Sequence, residues 1–472
     1  MTRRDWWRAI LPLGTWAILA ALPTPGGLEP DAWRYFALFA AVLVGLVLEP
    51  IPTAAIGFLG VTVATVLGYV GDTPAESIRW GLSGFSNGTV WLIFGAFMLS
   101  VGYERSGLGR RVALSLVKHL GRRTLGLGYA IALADLVLAP GMPSNTARSA
   151  GTIFPVLRNI PALFGSHPGP TARRIGAYLM WTAFASTAVT SSLFMTALAP
   201  NLLAVALVKE TAGLDITWGQ WLVGALPVGV VLLALTPLLV YLLYPPEIRS
   251  SHEAPAWAGE QLREMGSVSP KERVMTGLVL LSVALWIFGG HFVSATTVVL
   301  IVISLMVVLR VLEWDEILGN TAAWNMLVWF ATLVTLAGGL NEVGLIRWFA
   351  EVFSRQLEGY PVMAVMASLV AFFFLIHYMF ASLTAHTAAV LPVVLAVGLG
   401  VPDLPVLPFA LLLCHSLGLM GVITPYATGP APVYYASGYV SRADFWRLGL
   451  IFGLVFLGAL LGIGLPYLTL RQ

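Results

Sequence analysis

Two short polar runs interrupt otherwise apolar stretches of the chain: Ser144-Asn145-Thr146 and Ser382-Leu383-Thr384, 238 positions apart. Pro143 stands just before the first and ends the helix that enters it, and Ser144 or Asn145 is placed to cap the helix that follows. A capped helix start leaves backbone N–H groups pointing outward. Such an end favours an anion by about 0.3–1 kcal/mol, and by up to about 2 kcal/mol when partly buried. Two of them, approaching from opposite sides, suit a ligand with two negative ends. Turns that only pack one helix on another use the same residue types, so the recurrence of the pattern says more than either copy.

Arg148 and His386 lie four residues after Ser144 and Ser382 and hold equivalent places. An arginine at the centre of a membrane helix costs about 2.5–3.5 kcal/mol on insertion scales, so it faces a cavity or has a partner. Either the pair supplies positive or protonatable groups beside an acidic ligand, or each is structural. Asp135 on the preceding helix is an available ion partner for Arg148, and His386 has the alternative of a satisfied core histidine. His377 and His415 lack a repeat match and read as structural. Each polar run is followed by a second interruption: Thr196 to Asn201 with Pro200 inside it, and Thr424 to Pro432 with Pro425, Thr428 and Gly429. Proline removes a backbone donor and disrupts the helix, freeing carbonyls and hydroxyls for a ligand. A plain kink is the alternative, and the shared position after each polar run favours the site.

The elements that must position these residues follow from composition. The chain has 472 residues, 58% of them hydrophobic and 10% charged, with a mean hydropathy of +0.85. A soluble domain carries about 25% charged residues, so a single water-soluble globule is excluded. Apolar runs of about 20 residues span a bilayer. They fall near 9–23, 31–50, 52–71, 88–104, 174–208, 218–244, 273–290, 292–312, 322–341, 405–434 and 444–468. The expectation is an all-α polytopic membrane protein with about 11 transmembrane helices. The stretches 125–160 and 361–400 are too long for one span and too short for two, and each is broken at its middle by a polar run. Two re-entrant helical hairpins result, because broken backbone at membrane depth is tolerated only where it is buried in protein or lines a cavity. The N-terminus, with Arg3, Arg4 and Arg8 before an apolar stretch to Leu22, has signal-peptide character but reads as an uncleaved first helix.

Charge gives an orientation. With the N-terminus in the cytoplasm, 19 of the 26 Lys/Arg fall inside and six outside, with Arg148 in the membrane. That bias places the C-terminus outside. It also accounts for the pI of about 9.0 without a nucleic-acid partner, since no basic domain is present. The lone cysteine, Cys414, lies in an apolar run and rules out an internal disulfide.

The hydrophilic segment 245–272, a cytoplasmic linker, divides the chain into halves 1–244 and 273–472. Gly107-Leu108 matches Gly344-Leu345 at an offset of 237, and Pro155 matches Pro392 at the same offset. Each half carries an amphipathic helix before its hairpin, Arg110 to Leu120 and Ile346 to Leu357. With an odd number of crossings between them the repeats are inverted, the sequence pointer to a secondary transporter with its site near the midplane. No nucleophile–base set, metal-ligand cluster or phosphate loop is present in the sequence, so neither an enzyme nor a cofactor or metal is expected.

Four motifs now point to a family: PSNTARSAGTIFP (Pro143–Pro155), SSLFMTALAPNLLA (Ser191–Ala204), HYMFASLTAHTAAVLP (His377–Pro392) and TPYATGPAPVYYASGY (Thr424–Tyr439). Together they resemble the divalent anion/sodium symporter superfamily, in its branch of 2-oxoglutarate/malate translocators and citrate or tartrate/succinate antiporters. The resemblance runs through nearly the whole chain. It implies a homodimer in the inner membrane, with a static scaffold and an elevator-type transport domain carrying the hairpins. It also implies carboxylate binding by Ser144, Asn145 and Thr146. Leu383 stands where sodium-coupled members have an asparagine, which removes an oxygen suited to a hard cation. With Arg148 and His386 supplying as fixed charge part of what sodium ions supply in the symporters, the resulting expectation is sodium-independent exchange of C4–C5 dicarboxylates, extending to citrate or tartrate. A sodium-coupled symporter is the first alternative, and an anion channel and a membrane enzyme are the others.

Overall fold

The structure, a computed structural model, describes residues 6–357 and 359–471; the Arg3 and Arg4 charges lie outside them. Among the described residues every named element is a helix. Each of the apolar runs expected to span contains at least one. Among the described residues six helices are long and apolar enough to cross a membrane by length and composition, including Pro30–Leu48, Trp218–Leu243 and Thr321–Glu342. Large apolar side chains also face outward, including Val66, Phe288, Phe292 and Val308, as a protein solvated by lipid requires.

Glycines re-aim the chain at matching points of the two halves. Helix Gly88–Ser106 ends at Gly107 in the left-handed region (φ 76°) and leads into the amphipathic helix Leu108–Leu120. Helix Thr321–Glu342 is followed by Gly344 (φ 79°) and Leu345–Leu357. Glycine carries that conformation without steric cost.

Both broken stretches fold back as paired limbs. In the first, helix Thr124–Leu138 runs into a 3₁₀ turn, Ala139–Gly141, and the return limb opens as a π-helix, Thr146–Ile153, before Phe154–Leu157. The wider π register differs from a simple α limb for local reasons. Pro155 has no N–H for the α ladder, and the Thr152 hydroxyl donates to the Ala147 carbonyl five residues back at 3.1 Å. In the second hairpin, Val362–Leu375 and a 3₁₀ turn, Ile376–Met379, descend, and Leu383–Leu399 returns.

The runs 174–208 and 405–434 are broken rather than continuous. Gly176–Leu193 gives way to extended Phe194, a 3₁₀ turn and extended Leu198 before Ala199–Ala212 resumes. Val406–Leu419 ends in a 3₁₀ turn, and helix returns only at Ala431–Ala436. Each broken helix packs on the other half: Ala199–Ala212 on Leu383–Leu399, and Gly176–Leu193 on Val406–Leu419.

The 245–272 segment is tied down. Its helix Glu253–Glu264 lies against Leu108–Leu120. Ahead of it, the Thr124 N–H donates to the Arg249 carbonyl at 3.1 Å and the Ser251 hydroxyl donates to the Gly121 carbonyl at 2.6 Å, so the segment grips the base of the first hairpin.

Candidate functional site

The two hairpin tips meet. Ser144 accepts a hydrogen bond from the Ala147 N–H at 3.2 Å, and Ser382 accepts one from the Ala385 N–H at 3.3 Å, so each serine caps the limb that follows it. Both helix starts open on one cavity of about 260 Å³. That is slightly below the range of about 300–1,000 Å³ typical of drug-sized ligand sites and fits a smaller molecule. Nine residues expected at a site line it: Ser144, Asn145, Thr146, Pro200, Ser382, Leu383, Thr384, Thr428 and Gly429. No charged side chain lines it. Its polarity comes from hydroxyls, one amide and the backbone of the two helix starts.

The remaining expected residues sit behind the wall. The sequence left Arg148 between a place beside the ligand and an ion pair with Asp135, and the structure puts it in the ion pair. Arg148 is fully buried; its Nε lies 3.1 Å from Asp135 Oδ2. Its Nη1 donates to the carbonyls of Met142 at 2.8 Å and Ala197 at 2.7 Å, and its Nη2 donates to Ser191 Oγ at 2.9 Å. Asp135 also accepts from Thr187 at 2.8 Å and from Thr190. The charge is therefore compensated, and the guanidinium joins the hairpin tip to the first break.

Thr196 serves the same join, and Asn201 closes the break itself. The Thr196 hydroxyl donates to the Pro140 carbonyl at 2.7 Å, and the Asn201 amide donates to the Ser191 carbonyl at 2.7 Å and the Phe194 carbonyl at 3.1 Å. Breaking a helix leaves carbonyls without partners, and the Asn201 amide satisfies them. Thr424 is buried and accepts from the Tyr426 N–H at 3.3 Å, and Pro425 is also off the cavity wall.

His386 is fully buried one turn into the second return limb, edge-on to Phe373, His377 and Phe380 at ring distances of 4.5–5.0 Å. Neither of its ring nitrogens has a hydrogen-bond partner among the described residues. His377, by contrast, bonds through Nε2 to the Ala427 carbonyl at 2.8 Å, joining the second hairpin to the second break.

Cross-links between the halves complete the site. Asn145 donates to Thr428 Oγ1 at 2.7 Å, and Ser149 Oγ lies 2.9 Å from the Tyr434 hydroxyl. Gly429 sits against Thr146 so closely that a Cβ there would collide with the Thr146 hydroxyl. Phe97 and Met326, from helices Gly88–Ser106 and Thr321–Glu342, also line the cavity. Sequence reasoning missed both, since an apolar residue inside a span carries no mark of its own. Pro143, Leu198, Ala199 and Ala381 complete the lining, all within the motifs but with no side-chain function to flag them.

Comparison with known proteins shows which family and fold the chain shares. The family model described as "Sodium:sulfate symporter transmembrane region" matches residues 3–470. A citrate/succinate antiporter of Escherichia coli K12 is 49% identical over 98% of both chains. An L-tartrate/succinate antiporter of the same strain is 46% identical, also over 98% of both. Among solved structures, the YdaH transporter of Alcanivorax borkumensis aligns over 99% of this chain and 98% of its own, with a TM-score of 0.55 at 16% identity. MtrF of Neisseria gonorrhoeae aligns over 96% and 97% with a TM-score of 0.52 at 12% identity. At those identities the two structures speak for the fold alone.

Proposed function

Because the chain belongs to the sodium:sulfate symporter family of membrane transporters, we propose that it exchanges C4–C5 dicarboxylates, succinate among them, for a second di- or tricarboxylate such as 2-oxoglutarate, malate, citrate or tartrate. The observation that carries the reading is the uncharged cavity between two serine-capped helix starts. Ser144, Asn145 and Thr146 hold one carboxylate. Ser382, Thr384 and the neighbouring N–H groups hold the other, and Pro200, Leu383, Thr428 and Gly429 shape the space between. The antiporter names of the two E. coli relatives support the same substrate class.

Exchange follows from electrostatics. Each helix start carries roughly half a positive charge, so an empty site leaves that charge and its N–H groups without a partner, and in the loaded site they stabilise a dianion together with the hydroxyl and amide donors of the tips. The Leu383 side chain offers no oxygen to a sodium ion, which binds through oxygen. The empty carrier therefore returns slowly and the loaded one crosses readily, which is sodium-independent antiport. Arg148 acts by holding the first tip, and His386 acts by packing the second return limb on Phe373 and Phe380. The two hairpins and two breaks, stapled together by side chains, move as one body against the wall of Phe97 and Met326. This is an elevator-type motion within a homodimer of the inner membrane, with the N-terminus in the cytoplasm and the C-terminus outside.

Radiolabelled succinate uptake into proteoliposomes, preloaded or empty and with or without sodium, tests the reading. Uptake only into dicarboxylate-loaded vesicles, indifferent to sodium, is expected. Sodium-driven uptake into empty vesicles would make the protein a symporter whose cation sites rest on backbone carbonyls. Conductance without counter-substrate would make it a channel.

A further inference from the structure

A second chamber lies beside the first hairpin, on the face of the protein that carries the 245–272 segment. It encloses about 390 Å³ and shares no lining residue with the cavity between the tips. Its floor is the return limb of the hairpin from Gly151 to Asn159, and helices Gly88–Ser106 and Leu108–Leu120 form its sides. Trp257 and Gln261 of helix Glu253–Glu264 roof it. Arg110 and Arg158 line it against a single acid, Glu104. Arg110 donates to Gln261 Oε1 at 2.7 Å. Among the described residues the Arg158 side chain has no hydrogen-bond or ion partner, and the residue is exposed.

The chamber and the transport cavity are neighbours along two shared elements. The hairpin limb presents Thr146 to the cavity and Gly151 onward to the chamber. Helix Gly88–Ser106 presents Phe97 to the cavity and Tyr103 to the chamber, six residues or about 9 Å apart along the axis. Between the two, the Tyr103 ring rests on Gly141, where a Cβ would come within 2.7 Å of Tyr103 Cε2. Gly141 lies in the turn that leads to Pro143 at the cavity wall. A side chain at 141 would push Tyr103 away, so the glycine is what lets the ring seal this contact.

The opposite face has the opposite sign. A cavity of about 620 Å³ at the far end of helix Thr321–Glu342 is lined by Glu76, Glu210 and Glu342 against Arg79 alone. Burial, together with the nearby Glu342 carboxylate, pushes Glu210 above its ordinary value against the pull of Lys209.

We infer that the chamber under the linker helix is an antechamber for dicarboxylate anions, in which Arg110 and Arg158 collect substrate on the linker face and Tyr103 separates it from the transport site. The inference rests on the exchange reading above. Charge lining a cleft with low-dielectric walls raises the local concentration of the opposite ion and acts on encounter. The arginines therefore set the apparent affinity of one face only.

The test is succinate exchange in sealed vesicles sorted by orientation, with orientation read from protease cleavage within 245–272. KM is measured separately on each face at low and high ionic strength. In the wild type, KM on the linker face should rise more steeply with salt than on the other. Arg110→Gln with Arg158→Gln should raise the linker-face KM about fivefold to tenfold at low salt and remove the salt dependence, leaving the other face and kcat unchanged. Glu104→Gln should lower the linker-face KM about twofold, a direction a damaged fold does not produce. Equal changes on both faces, or none, would overturn the antechamber while leaving exchange intact. Absence of exchange by the wild type would overturn both readings.

Discussion

The Asn145 amide donates to the Thr428 hydroxyl at 2.7 Å, joining residues 283 positions apart at the wall of one cavity. One of them belongs to the first hairpin and the other to the break of the second half. The bond sets where the first tip sits against the break of the second half, so it bears on binding and on the unity of the moving body together. Thr428→Val should strand the amide and raise the succinate KM about tenfold, since one neutral hydrogen bond contributes about 0.5–1.5 kcal/mol. Asn145→Ala should cost more, because the amide also lines the site. A double-mutant cycle on KM should return a coupling of about 0.5–1.5 kcal/mol; additive effects would mean the contact does not shape the bound state.

Gly429 is small because Thr146 occupies the space a side chain would need. Gly429→Ala should push the threonine off the cavity wall and lower exchange at least tenfold, with normal elution on size exclusion. If displacement of Thr146 is the cause, adding Gly429→Ala to a Thr146→Ala protein should cost little more than Thr146→Ala alone, because residues in contact couple. A further large loss in the double variant would place the damage in the backbone of the second break.

Much of this site was readable because capping is local. A serine after a proline-terminated helix caps the next one whatever the tertiary context, as Ser144 does, and Ser382 caps its own limb in the same way. What the sequence left open was decided by packing. Arg148 had two roles consistent with its position, and only the placement of Asp135, Met142 and Ala197 around it selects one. Thr196 and Asn201 look like ligand groups in a broken helix, yet the hairpin turn takes the hydrogen bond of the first and the carbonyls freed by the break take those of the second. Phe97 and Met326 were invisible because every face of a membrane helix is apolar, so periodicity does not mark the one that meets the site. The pairing of Asn145 with Thr428 had no local signature at all.

The amphipathic helix before the first hairpin is clamped to the linker by an ion pair with a defined pH dependence. Arg111 holds Glu272 through both Nε and Nη2, and the Ser269 N–H adds a bond to the same carboxylate at 2.7 Å. Burial pushes the Glu272 carboxyl up, but Arg111 and the Ser269 cap more than offset it and hold it below the usual carboxylate range. A carboxyl whose value is lowered by folding stabilises the fold above its ordinary value, about 4.3. That contribution is lost as pH falls through the lowered value. Amide protection across 266–273, taken relative to the intrinsic exchange rate at each pH, should therefore be high at neutral pH and fall in acid. Glu272→Gln should show low protection at every pH, with no acid transition; a transition that survives in Glu272→Gln would assign it to another group.

The Arg148–Asp135 pair invites a sharper test, because removing one member and removing both have opposite consequences. Arg148→Ala leaves a carboxylate buried with only Thr187 and Thr190 as partners. Breaking a buried pair in this way costs about 3–5 kcal/mol, so the expected loss is of thermal stability in detergent as well as of transport. Arg148→Met combined with Asp135→Asn removes both charges at nearly constant volume and should recover most of the melting temperature. A thioether in place of the guanidinium cannot donate to the Met142 and Ala197 carbonyls, so the join between tip and break loosens and exchange should fall, by about tenfold. That partial activity is the informative quantity. A double variant that is stable and still exchanges succinate makes Arg148 a positioning residue, acting through the backbone it holds. One that is equally stable but inactive would show that the guanidinium charge itself acts on the ligand across the cavity wall, and that Asp135 compensates it less fully than their 3.1 Å separation implies.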